Sequence, residues 1–422
     1  MSTIDTLDAA AVSKPATGAG QRGILFLICF ITTALGGTVS TLMSVYLPVV
    51  VRDLQGNLKP DELNSISGYI NAVFIFGWAF GGFAWGVISD KIGRKKALLL
   101  AIGSYGIFTM LTGIMPTWWG VVLCRFMSGF GVGGLMVISV TLISEVWPER
   151  TKAVFMGILS ISFPIGIFSA GLLNFLVTSW RQGFLIGSVP LLLALLGTWL
   201  LEESDQWLSF RANRAKAGSN VTTLFSPGHQ RELLLGSLTF GTMLIGMWAI
   251  FSWLPTWVQS IITTSDAHQE RGLSMMFMGM GGLAGGFLSG WIVNFFGSRR
   301  SMIACFVVCA VMSIVLFKMN TEFKPVVYIE IGILAIFFGI SQGVLSVYIP
   351  ELFSTGIRAS ATGFCFNIGR IFTGTAVLFV GVLVTGLGGY GNAIAIFSLV
   401  FIIGLVVVLF VKDRPGITET IK

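Results

Sequence analysis

Charge is scarce in this sequence: Asp, Glu, Lys and Arg make up 11% of its 422 residues, where soluble domains carry about 25%. Roughly half the usual polar coat is missing, so water cannot solvate the chain on all sides. Histidine is scarcer still. His229 and His268 fall in loops far apart in sequence, which gives no footing for zinc chemistry or histidine-based catalysis. The five cysteines (Cys29, Cys124, Cys305, Cys309 and Cys365) are odd in number and all lie in apolar runs. Neither a disulfide framework nor a metal-ligand spacing is visible; Cys305 and Cys309, at i and i+4, read as two thiols on an apolar helix face. A membrane enzyme such as a lipid transferase would need acids or histidines clustered at one face, and no such cluster occurs. The sequence therefore predicts neither an enzyme nor a cofactor.

Apolar residues take the place of charge. They make up 54% of the chain, with a mean hydropathy of +0.86, and they recur in runs along its whole length. Crossing ~30 Å of hydrocarbon takes about 20 such residues. Reading between charge clusters gives twelve spans, the first six over 24–50, 65–88, 97–115, 119–144, 153–177 and 184–201. The second six cover 233–258, 273–296, 301–317, 326–349, 359–385 and 392–411. The fold class is thus an all-α membrane protein, surrounded by lipid. Residues 1–21 read as a disordered cytoplasmic tail, 22–201 and 233–411 as two six-helix bundles, 202–232 as a linker and 412–422 as a second tail. The first apolar run, after Arg22, is too long for the core of a cleavable signal peptide.

The net charge of +7 does not describe a nucleic-acid-binding groove, because the 26 Lys and Arg are dispersed over short loops. With the N-terminus in the cytoplasm, eighteen of them fall on the inner side, two within spans, and six outside: Arg52, Lys59, Arg181, Arg271, Lys318 and Lys324. This bias predicts both termini inside. The single glycosylation sequon, Asn220-Val221-Thr222, then lies on the cytoplasmic side, which is compatible with a bacterial inner membrane.

The chain repeats itself once. Gly86-x3-Asp90-x2-Gly93-x-Lys95-Lys96 recurs as Gly290-x3-Asn294-x2-Gly297-x-Arg299-Arg300. Glu145-x6-Lys152-Ala153-x3-Gly157 recurs as Glu351-x6-Arg358-Ala359-x3-Gly363, and Tyr46-Leu47-Pro48 as Trp253-Leu254-Pro255. Three matches in one order at nearly one offset imply duplication. Six spans per half give both halves the same orientation, related by an axis along the membrane normal, with a site between them near the midplane.

The segment from Gly86 to Lys96, including Arg94, is similar to the loop signature between spans two and three of the major facilitator superfamily. Arg125-x3-Gly129-x-Gly131-x-Gly133-Gly134 resembles that family's span-four pattern. Trp253-Leu254-Pro255 and Glu203-Ser204-x2-Trp207-Leu208, with Asp205 in place of a proline, resemble segments of its metabolite and organic-anion porters, while Ala34-Leu35-Gly36-Gly37 and the Glu351/Arg358 motif resemble its sugar porters. The resemblance covers the whole chain and implies two pseudo-symmetric six-helix halves. It also implies a cytoplasmic latch across the seam between them, formed by Gly86, Asp90, Gly93, Arg94, Glu145 and Lys152 with Arg299, Arg300, Glu351 and Arg358. Asn294 and Ser298 replace an acid and an arginine of the signature in the second half, which implies a weaker latch there.

Arg370 is the sharpest single feature. At 1.5 Å per residue it lies about 17 Å into span eleven, near the midplane, where a charge costs several kcal/mol unless it is paired or wet. Organic-anion porters of the family are similar in carrying an arginine in a Gly-Arg segment of this span, facing anionic substrate, and Asn367-Ile368-Gly369-Arg370 matches it. A guanidinium can clamp a carboxylate through two parallel hydrogen bonds. Trp248, Phe251, Trp253, Tyr46 and Gln342 are candidates to line the same site. Arg125 in span four and Glu330 in span ten are brought opposite each other by the repeat offset and are expected to meet and to couple transport. Span one has Thr33, Thr38, Ser40 and Thr41 but no acid between Arg22 and Asp53, so proton symport by the family's usual route is in doubt. The expected function is secondary transport of a small organic anion, a carboxylate metabolite, by a monomer using alternating access, with coupling to protons left open. The alternatives are a porter for a sugar or other neutral metabolite, and a non-transporting sensor of the same fold.

Overall fold

The computed structural model describes residues 18–56, 59–213, 229–262, 267–353 and 358–410. Twelve helices in it are long and apolar enough to cross a membrane. The first six are Ala19–Gln55, Pro60–Ile92, Arg94–Ile114, Trp118–Val146, Glu149–Leu176 and Trp180–Leu200. The second six are Gln230–Ser260, His268–Phe296, Ser298–Met319, Val326–Glu351, Arg358–Leu383 and Tyr390–Phe410. Several run well past the apolar stretches read from sequence, because a helix continues beyond the membrane until glycine or proline chemistry stops it. Lys59-Pro60 starts span two with proline at the first position, and Gly56 closes span one with a positive φ of 58°.

The linker read as 202–232 is partly helical: Asp205–Asn213 forms a short helix, and span seven already begins at Gln230. Arg214, Lys216, Pro227 and Gly228 lie outside the described residues, as do both tails beyond residues 18 and 410.

The duplication is visible in packing. Span two lies along span four and span one along span five; in the second half, span eight lies along span ten and span seven along span eleven. These pairs touch backbone to backbone. A Cβ on Gly77 or Gly81 would come 2.1 Å from the carbonyl oxygens of Phe126 or Phe130, and one on Gly285 would come 1.9 Å from that of Ile336. Small residues permit this close approach where lipid provides no hydrophobic drive between helices. The glycines of the loop motif also correspond. Gly93 (φ 107°) and Gly297 (φ 82°) both stand in the left-handed region between spans, a conformation that glycine adopts without Cβ strain.

Between the halves, spans two and five of the first meet spans eleven and eight of the second. Both seams are tight at the end of the bundle opposite the loop motif. Asn64 reaches the Tyr390 hydroxyl and the Thr385 Oγ1, the latter at 3.5 Å, and a Cβ on Gly171 would lie 2.5 Å from the Gly272 carbonyl oxygen. Both seams part at the motif end. A Cβ on Gly86, Gly157, Gly290 or Gly363 would meet nothing within 4 Å among the described residues.

Candidate substrate site and its seals

Arg370 sits half-way along span eleven, partly exposed on the face that meets span two. Its Nη1 donates to the Phe366 carbonyl at 3.2 Å and to Asn367 Oδ1 at 3.4 Å, both on its own helix. The guanidinium carbon lies 5.1 Å from the Trp78 ring centroid, across the seam, and 5.9 Å from that of Phe240, within the range of cation–π attraction. No described carboxylate comes within 4.0 Å of it, and among the described residues Nε and Nη2 meet no acceptor. A guanidinium has five N–H donors, so most of the fork is unspent. Asn367 Nδ2 is tied back to the Gly363 carbonyl at 3.0 Å, which aims Oδ1 at Gly82 in span two, where a Cβ would come within 2.5 Å of it.

Aromatic rings wall this position from both halves. Trp78 meets Trp248 edge-on at 5.5 Å and Phe163 at 5.6 Å, and Trp248 continues to Phe251 at 5.8 Å. Phe240 stacks on Phe366 at 4.3 Å. Asn71 Nδ2 donates across the seam to the Ser252 carbonyl at 3.1 Å. An open guanidinium fork inside an aromatic wall can take one planar anionic group, with the rings covering its apolar body.

The structure brings Arg370, Asn367, Trp248 and Phe251 into this region and places Tyr46 and Trp253 elsewhere. Tyr46 is buried within the first half, its hydroxyl donating to the Val177 carbonyl at 2.6 Å. Trp253 donates Nε1 to the Val377 carbonyl at 3.1 Å and stacks on Tyr390, so it belongs to the tight end. Gln342 lies on span ten one turn from Phe338, which meets Phe251 at 5.6 Å, and its buried Nε2 has no acceptor among the described residues. Trp78, Phe163, Phe240 and Phe366 were not singled out from sequence. The signal for Trp78 was available: Trp78, Gly82 and Gly86 recur every four residues on one face of span two.

Arg125 and Glu330 do not meet. Arg125 is fully buried, donating to the Val39 and Ser40 carbonyls at 2.9 and 3.4 Å and lying 4.0 Å over the Phe74 ring. Glu330 accepts from Asn320 Nδ2 at 2.6 Å. Two helix carbonyls and an aromatic face hold the guanidinium in place of an acid, while its buried Nε meets no acceptor among the described residues.

At the motif end, charged and polar bonds tie each half to itself. Arg94 bonds Asp90 at 2.5 Å and Glu145 at 3.1 Å, all within the first half. Glu145 accepts from Ser204 Oγ at 2.6 Å, and Trp207 Nε1 donates to the Asp90 carbonyl at 3.1 Å. Glu203 Oε1 accepts from the backbone N–H groups of Arg94 and Lys95 at 2.8 and 3.0 Å, capping span three. Its other carboxylate oxygen lies 2.2 Å from where a Cβ on Gly93 would stand. In the second half, Glu351 receives Ser298 Oγ at 3.5 Å, and Arg299 donates to the Val408 and Leu409 carbonyls at 3.2 and 2.7 Å. Arg300 is exposed, Lys152 is partly buried, and the Arg358 side chain lies outside the description. Each of these bonds braces one half.

Residues 25–374 match the profile of the Major Facilitator Superfamily. The chain belongs to that family. The chain is 27% identical over 393 residues to a probable 4-methylmuconolactone transporter of Cupriavidus pinatubonensis, covering 91% of this chain and 88% of that one. It is 25% identical over 401 residues to the cis,cis-muconate transport protein of Acinetobacter baylyi, covering 93% and 94%. In fold it is similar to the inward-open xylose transporter XylE of E. coli, with a TM-score of 0.77 and 18% identity over 94% of this chain and 98% of that one.

Proposed function

We propose that this member of the superfamily is a secondary transporter that moves a small organic anion, a carboxylate metabolite, by alternating access between its halves. The observation that carries the reading is the unspent guanidinium fork of Arg370 between two aromatic-lined halves. A neutral cargo gives no reason to keep an uncompensated cation at membrane depth. Relatives named as a cis,cis-muconate transport protein and a probable 4-methylmuconolactone transporter support the same class. We assign the motif end to the cytoplasm of a bacterial inner membrane, with both termini inside, from the Lys/Arg bias. The protein then stands open to the cytoplasm and works as a monomer in lipid.

The test is uptake of cis,cis-muconate, benzoate and D-xylose by proteoliposomes holding the wild type or Arg370→Ala, each with and without a pH gradient. Carboxylate uptake by the wild type, lowered about tenfold or more in the variant, is expected; tenfold corresponds to ~1.4 kcal/mol, the lower end for a lost charged hydrogen bond. Stimulation by the gradient would identify protons as the coupled ion. Xylose uptake that survives in the variant would contradict the anion reading and favour a neutral cargo.

A further inference from the structure

A second buried arginine lies at the tight end of the bundle, outside the site around Arg370. Sequence places Arg271 in an outer loop, because His268, Glu270 and Arg271 follow one another closely. In the structure it lies in the first turn of span eight with no exposed surface. The neighbouring residue, Gly272, is where spans five and eight cross: a Cβ there would come 2.9 Å from the Gly171 carbonyl oxygen. Arg271 Nη1 donates to Gln259 Oε1 of span seven.

Tyr46 of span one, Asn174 of span five and His268 of span eight itself gather at this crossing. Tyr46 of span one lies beside both Arg271 and Asn174. Its hydroxyl shares the Val177 carbonyl, at the end of span five, with His268 Nε2 of span eight, the two distances being 2.6 and 3.4 Å. Asn174 of span five has no exposed surface, and among the described residues neither its Oδ1 nor its Nδ2 makes a hydrogen bond of good geometry, although the amide lies close enough to the Tyr46 hydroxyl to act on it. A fully buried amide with both ends unmet is rare in a native interior. It becomes intelligible if the closed crossing is only half of a working cycle.

When the halves part at this end, the guanidinium of Arg271, the amide of Asn174 and the hydroxyl of Tyr46 turn from a sealed seam into the wall of an open mouth. All three can donate hydrogen bonds, and one carries a positive charge, which is the chemistry of a carboxylate site. We propose that Arg271, Asn174 and Tyr46 form a second carboxylate site at this mouth, which receives the anion before it reaches Arg370. The proposal rests on the anion reading of Arg370 for the identity of the cargo.

Two cross-linked forms of the full chain test it. Oxidised Asn64→Cys/Thr385→Cys holds the tight end shut, since these side chains already touch across the seam. Oxidised Gly86→Cys/Gly363→Cys holds the motif end shut and the other end open. Renewed uptake after reduction shows that each form is folded. Titration calorimetry with cis,cis-muconate then compares each form with and without Arg271→Gln. The expected result is about tenfold weaker binding in the form open at the Arg271 end, as for one lost charge-assisted contact, and a change under about twofold in the form shut there. In the open form, Arg370→Ala should retain a weak site that adding Arg271→Gln removes. Equal weakening by Arg271→Gln in both forms, or none in either, would overturn the proposal and leave Arg271 as part of the seal. Failure of the underlying anion reading is distinct: Arg370→Ala would then leave binding unchanged in both forms.

Discussion

Three arginines lie within the helical body, and their partners assign them different work. Depth along a helix is a sequence property, so Arg370 could be placed near the midplane from its distance to the start of span eleven. Partners are not, so the meeting of Arg125 with Glu330 inferred from the repeat does not occur; two helix carbonyls and Phe74 hold Arg125 instead. Arg271 was assigned to a loop because charged neighbours surround it, although the helix had already begun. Arg125→Ala should therefore act on stability. It removes a fully buried side chain and both carbonyl bonds, for about 2–4 kcal/mol, and should lower the unfolding temperature in detergent. Carboxylate affinity per folded molecule should change by less than about threefold, since Arg125 and Arg370 share no partner. An unchanged melting temperature with lost affinity would return Arg125 to the substrate path.

At the scale of elements, the repeat was legible because a duplicated helix keeps its glycines. Gly81 and Gly285 stand five residues before Gly86 and Gly290, and each allows a neighbouring backbone to pass within contact. The sequence could not show which motif glycines are in use at a given moment, since a seam that opens and closes demands glycine whether or not it is closed. The two sets should respond differently to substitution. Gly81→Leu and Gly285→Leu would press a side chain into a backbone carbonyl and should abolish monodisperse protein on size-exclusion chromatography. Gly86→Leu meets open space and should yield folded protein with uptake lost. Equal tolerance of all three would show that the helix contacts in each half are looser than described. The Glu203-Ser204-x2-Trp207 segment resembled a family ending by pattern alone. Its physical sense, a carboxylate capping span three and a linker helix pinned to Asp90 and Glu145, appeared only in three dimensions.

For the whole molecule, the contacts between halves form a register that can be continued past where they stop. Gly68 meets Gly381, Phe76 meets Gly374 and Gly82 meets Asn367; one turn further, Gly86 stands opposite Gly363. Likewise Gly171 meets Gly272, Phe168 meets Gly279 and Ile161 meets Gly286; one turn further, Gly157 stands opposite Gly290. The four motif glycines that now face open space are thus paired for the closed form of the motif end. Spans two and eleven, and five and eight, need only rock about the level of Arg370. Cysteines at Gly157 and Gly290 should cross-link in membranes under oxidation, block uptake and release it on reduction. Absence of any cross-link would contradict this register.

The central claim, that Arg370 holds a carboxylate between the halves, is tested most directly by titration calorimetry on the purified protein. Cis,cis-muconate, benzoate and D-xylose would each be titrated into the wild type, Arg370→Ala and Arg370→Lys. Carboxylate binding to the wild type is expected, with loss in the alanine variant and little recovery in the lysine variant, whose ammonium cannot match a planar two-oxygen acceptor. Carboxylate affinity equal in all three proteins, or xylose binding indifferent to Arg370, would contradict it.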